Sequence, residues 1–149
     1  MPLCGFVDIR LSDPRLRQLH HGNCVPHIDF THSSVLDSSD NCWIKSNYNA
    51  TGVVANITDF NIALQGISTY GIDVQQDDLN GAPTRNSSNG VRIENLPFQN
   101  VTGTATSTAR DYYVLCGDRS CSDLTFNDVF ITGGSIANSC NYLASDCPA

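Results

Sequence analysis

Asp111-Tyr-Tyr-Val-Leu-Cys116-Gly-Asp-Arg-Ser-Cys121-Ser-Asp-Leu-Thr-Phe126 places a tight cysteine bracket between two short apolar runs, and a second bracket, Cys140-Asn-Tyr-Leu-Ala-Ser-Asp-Cys147, follows it. Brackets this short, flanked by strand-like residues, read as local disulfide clasps. Zinc sites favour Cys-x2-4-Cys with a second matching pair, and no such grid occurs here, so neither a metal nor a cofactor is expected. Clasps of this kind imply an oxidising compartment.

The rest of the chain supports that reading. Of 149 residues only 15% are charged, with a formal net charge of -7. An acidic chain without basic clusters argues against a nucleic-acid surface. No apolar run is long enough for a membrane span. Asn, Ser, Thr and Gly recur among β-branched residues, a composition that reads as mostly β. Four sequons (Asn49-Ala-Thr, Asn56-Ile-Thr, Asn86-Ser-Ser and Asn100-Val-Thr) make these asparagines candidate glycosylation sites and tilt the reading further toward secretion. The N-terminus carries no apolar segment and no cleavage signal.

Residues 1–24 stand apart. They hold Arg10, Arg15, Arg17, Pro14 and the His20-His21 pair with no sustained period, and are read as irregular. From Val25 onward a loose repeat sets an aromatic before Asn or Asp and a β-branched residue: Phe60-Asn-Ile62, Phe98-Gln-Asn-Val101 and Phe126-Asn-Asp-Val129, with a weaker copy at His27-Ile-Asp-Phe30. Spacings from the high twenties to the high thirties fit a solenoid with loops of unequal length. A β-sandwich of evenly spaced short strands is the competing fold.

The clasped block, followed by Val129-Phe-Ile-Thr-Gly-Gly134, resembles the C-terminal end of fungal polygalacturonases, family 28 glycoside hydrolases that cut the galacturonan backbone of pectin. So does Ile67-Ser-Thr-Tyr-Gly-Ile-Asp-Val-Gln-Gln-Asp77 followed by Leu79-Asn-Gly-Ala-Pro-Thr84. The likeness runs from about residue 25 to 149. It implies an all-β, right-handed parallel β-helix, here its C-terminal turns and end cap with the N-terminal side of the solenoid truncated. It also implies a secreted, monomeric protein acting on polygalacturonate.

The resemblance also says where chemistry should lie. The family inverts the anomeric centre with carboxyl groups placed so that one protonates the leaving oxygen while another activates water. Those acids come from an Asn-Thr-Asp motif and a later Asp-Asp pair, followed by Gly-His-Gly and Arg-Ile-Lys. No Asn-Thr-Asp occurs in this chain. Asp77-Asp78 sits in flanks that match a later, substrate-contacting turn, where the family has Gln-Asp-Tyr; Asp78 replaces the tyrosine and adds a charge unfavourable to an anionic substrate. His20-His21-Gly22 matches Gly-His-Gly poorly, leaving His21 only as a remnant candidate. No catalytic residue is therefore assigned, and the chain alone is expected to be an inactive fragment, its first 24 residues explained by a misplaced start or splice junction.

Trp43-Ile-Lys45 aligns with Arg-Ile-Lys, and Lys45, the sole lysine, is the candidate substrate-binding residue. A compact ammonium suits a galacturonate carboxylate, while Trp43 forgoes the bidentate contact of arginine. The alternative function is a non-catalytic pectin-binding or structural β-helix. Cys4 and Cys24 could pair across a loop, with Cys42 a small buried hydrophobe.

Overall fold

The computed structural model describes residues 7–11, 24–25, 27–78, 83–142 and 147, with 7–11, 24–25 and Cys42 described by their backbone alone. Eleven strands follow one another without a helix among these residues: β1 (Val7–Leu11), β2 (Cys24–Val25), β3 (Ile28–Leu36), β4 (Asp40–Asn47), β5 (Gly52–Ala55), β6 (Ile57–Ile67), β7 (Tyr70–Asp78), β8 (Val91–Ala105), β9 (Arg110–Leu115), β10 (Cys121–Thr132) and β11 (Ser139–Cys140). One face runs β1-β4-β7-β9-β11. The other runs β2-β5-β8-β6-β3, with β10 on β8. Every named pairing is parallel except β1 with β4. The chain is thus an all-β parallel β-helix, and the sandwich reading is set aside. β1 and Cys24 of β2 fall within residues 1–24, the stretch read from sequence as irregular.

Alternation builds the core. Along β7, Ile72 and Val74 point inward, and register stacks Ile44, Val74 and Val114 from three successive turns. On the opposite face Ile62, Val101 and Val129 stack likewise. All but Val129 are essentially inaccessible to water. Each turn contributes too little apolar surface to stand alone, so burial is achieved only by stacking.

Corners are made by residues that tolerate the left-handed region. Asn56, Asn95 and Asp123 form one column and His32, Asn61, Asn100 and Asp128 another, all with φ between 50° and 57°. Asparagine and aspartate visit this region more readily than other non-glycine residues. At Gly103 (φ 148°) a Cβ would run into the Leu64 carbonyl of the turn below, so only glycine fits.

The repeat read from sequence is shifted by one residue in its first full copy. Register sets Asp59 opposite Phe98, Phe60 opposite Gln99 and Ile62 opposite Val101. Phe98 stacks on Phe126 with centroids 5.1 Å apart and rings within 3° of parallel, whereas Phe60 turns outward and meets His32 edge-on at 5.5 Å.

Candidate functional site

The outward face of the β4-β7-β9 sheet carries polar residues, and they are unusually well covered. Trp43 pairs with Asp73 and Asp73 with Tyr113; the next rung pairs Lys45 with Gln75 and Gln75 with Leu115. Asp73, Gln75 and Asp77 are each at most 1% exposed. Such burial of carboxylates is costly unless they are neutral or paired.

Lys45 lies at the accessible end of this face. Its Nζ stands 3.9 Å from the centroid of the Trp43 ring and 4.0 Å from Asp78 Oδ2, with both side chains about one-seventh exposed (15% and 13%). The pair exists because of a bulge. Lys45 faces Gln75, but Asn47 faces Asp78, so an extra residue in β7 brings Asp78 onto the lysine's side of the sheet. Tyr48 N–H donates to the Asp78 carbonyl at 2.7 Å and fixes the strand end there. The tyrosine ring itself is exposed.

Asp73 is held differently. Burial pushes its carboxyl well above the usual carboxylate range; the hydrogen bond from Gln75 Nε2 (2.8 Å) and the nearby Lys45 oppose this, and Asp40 and Asp77 reinforce it. A carboxylic acid with a raised pKa can serve as a general acid. Asp73 is sealed from solvent, however, so no substrate oxygen can reach it, and its role is confined to the fold. Because its folded pKa lies above the unfolded one, its ionisation opposes folding. The contribution is nil below the unfolded pKa, near 4, and becomes more unfavourable as pH rises toward the folded value. Asp73→Asn should therefore flatten the fall in Tm between about pH 4 and neutrality relative to the wild type. Parallel Tm–pH profiles of the two proteins would refute this assignment.

Tyr70 and Tyr113 extend the face toward β9, their rings 5.5 Å apart and tilted by 32°, and the Arg110 guanidinium lies 5.6 Å from the Tyr113 centroid. Burial, aided by nearby carboxylates, raises the pKa of both phenols, so both are neutral at physiological pH. Among the described residues no group of three or more His, Cys, Asp or Glu side chains converges on a metal position.

Gln76 faces the other way, into the core. Its Nε2 donates to the Val91 carbonyl at 2.7 Å, and its Oε1 accepts from Gly117 N–H at 2.9 Å and from the Ser120 hydroxyl. It thereby ties the site strand to the Cys116–Cys121 disulfide loop. A second disulfide joins Cys140 to Cys147.

Of the residues singled out from sequence, Lys45, Trp43 and Asp78 are brought together, whereas Asp77 is buried and bonds through Oδ2 to the Arg85 N–H at 2.7 Å. His21 and Cys4 lie outside the described residues, as do the side chains of Cys24 and Cys42. Asp73, Gln75 and Gln76 were not singled out as site residues. The alternation Ile72-Asp-Val-Gln75 carries the signal for Asp73 and Gln75, since polar residues alternating with inward aliphatics share the outward face; Gln76, which points inward, has no such local signal.

Residues 18–149 match Glycosyl hydrolases family 28. A polygalacturonase of Fusarium fujikuroi is 53% identical over 127 residues, covering 85% of this chain and 34% of that protein. Endopolygalacturonase D of Aspergillus niger is 54% identical over 126 residues, covering 85% of this chain and 25% of its own. The chain spans about a quarter to a third of the length of these curated relatives. With the family match running from residue 18 through the whole parallel β-helix to its clasped end, this chain belongs to glycosyl hydrolase family 28.

Proposed function

We propose that these turns grip substrate in a secreted polygalacturonase, an enzyme that hydrolyses the α-1,4-galacturonan of pectin by inverting acid/base chemistry. The observation that carries the reading is Lys45: the chain's sole lysine, raised on a buried polar face beside an indole ring, in an otherwise acidic protein. An acidic protein can hold an acidic polymer only through such a local cation. The ring of Trp43 offers an apolar surface next to that charge, a combination suited to a sugar that carries a carboxylate.

Within this chain the function is binding. Hydrolysis with inversion needs two carboxyl groups about 6.5–9.5 Å apart across the glycosidic bond. The sequence holds no Asn-Thr-Asp motif, and Asp73 is sealed from solvent.

Retention of the 149-residue chain on immobilised polygalacturonate tests the proposal, with neutral galactan as control. Binding to the acidic polymer alone, weakening between about 50 and 500 mM salt, is expected, without release of reducing sugar. Equal retention on both polymers would remove the role of Lys45.

A further inference from the structure

The four sequons fall into two structural classes. Asn56 and Asn100 occupy the two corner columns. Asn95 Nδ2 donates to Asn56 Oδ1 at 2.7 Å, and Asn100 Nδ2 donates to Asn61 Oδ1 at 2.6 Å, each bond linking residues 39 positions apart on adjacent turns. Asn61 Nδ2 in turn meets His32 Nε2 at 3.1 Å. The backbone at Asn56 is bonded on both sides, to Ile28 N–H through its carbonyl and to the Glu94 carbonyl through its N–H.

Asn49 and Asn86 are placed otherwise. All four sequon asparagines are exposed, and Asn56 also lies between strands; what sets Asn49 and Asn86 apart is that neither side-chain amide bonds to another described residue. Their loops touch: Asn49 N–H donates to Ser88 Oγ at 2.9 Å, within the Asn86-Ser-Ser88 sequon. Next to Asn49, Tyr48 N–H holds the carbonyl of Asp78.

The geometry points to Asn49 and Asn86 as the N-glycosylated residues of this chain, with Asn56 and Asn100 carrying unmodified amides committed to the corner columns. An N-glycan is attached through the side-chain Nδ2, replacing one of its two hydrogens. Asn100 Nδ2 is the atom that reaches the rung below, across a strand spacing of about 4.8 Å. A sugar ring on that nitrogen would have to share this gap with Asn61, and the turns above and below cannot part without breaking their ladders. A sugar on Asn56 would crowd the amide whose Oδ1 accepts from Asn95 on the neighbouring turn, at a corner whose backbone is bonded on both sides. At Asn49 and Asn86 a glycan projects from a loop tip into solvent, with no fold bond to lose. Both glycans would then stand on one corner, beside the strand end that carries Asp78, as a rim to the Lys45 face. The assignment holds wherever the chain passes through a glycosylating compartment, so it stands apart from the reading of Lys45.

The test is to express the full chain behind a secretion leader in yeast and isolate the folded, monodisperse fraction. Glycans are then released enzymatically in heavy-oxygen water, and the resulting Asn-to-Asp label is located by peptide fragmentation. Label at both Asn49 and Asn86, none at Asn56 or Asn100, and loss of all glycan mass in the Asn49→Gln/Asn86→Gln double variant are expected. Label at Asn56 or Asn100 in the folded fraction, or its absence from either loop asparagine, would overturn the assignment.

Discussion

Replacing Gln76 with leucine is expected to cost roughly 4 kcal/mol of folding free energy. The two side chains are similar in volume, so no large cavity is created and the loss comes from hydrogen bonding. Gln76 is fully buried, and its amide satisfies the Val91 carbonyl on one side and the Gly117 N–H on the other. Leucine would leave both backbone groups in an apolar interior without partners, at about 1–3 kcal/mol each. The Ser120 hydroxyl keeps its bond to the Gly117 carbonyl but loses the one to Gln76. A urea titration would show the loss as a lower midpoint at unchanged slope. A change below about 1 kcal/mol would mean that water or the loop itself replaces the amide. Since Gln76 is the link between β7 and the clasped loop, the variant should also expose the Cys116–Cys121 disulfide to reductant at lower denaturant.

The second large effect concerns binding. Lys45→Met retains the methylene stem against Trp43 while removing the charge. A charge-assisted contact to a carboxylate, partly screened from water, is worth about 1.5–3 kcal/mol, so affinity for oligogalacturonate should fall roughly ten- to a hundredfold. Asp78→Asn should act in the opposite direction. The aspartate stands 4.0 Å from the ammonium and competes with any carboxylate brought by a ligand. Removing its charge should tighten binding about three- to tenfold at low salt, an advantage that fades as the ionic strength rises.

Much of the fold is legible in the sequence because a solenoid repeats its physics. The β-branched residues and the corner asparagines recur from turn to turn, the two cysteine brackets mark the C-terminal end, and their neighbours match the family in order. Phe60 shows the limit of such reading. Phe98-Gln-Asn-Val101 has one residue more than Phe60-Asn-Ile62, and register is set by the aliphatic column and the left-handed asparagine, so the aromatic in the shorter copy is turned out to His32. At the site, Lys45 stands out as the sole lysine, and Asp78 as a departure from the family's tyrosine. Their meeting depends on a bulge after Lys45 that no local pattern announces. Gln76 is harder still, since its partners Gly117 and Ser120 lie 41 and 44 residues further along the chain. Only stacking of the turns brings them together.

The function proposed for this face requires that Lys45 hold an anionic saccharide in competition with Asp78. Calorimetric titration of oligogalacturonate into the wild type, Lys45→Met and Asp78→Asn, at low and high salt, measures this directly. The predicted order of affinity is Asp78→Asn, then wild type, then Lys45→Met, with the three converging as salt rises. Equal affinities for wild type and Lys45→Met at low salt would contradict it.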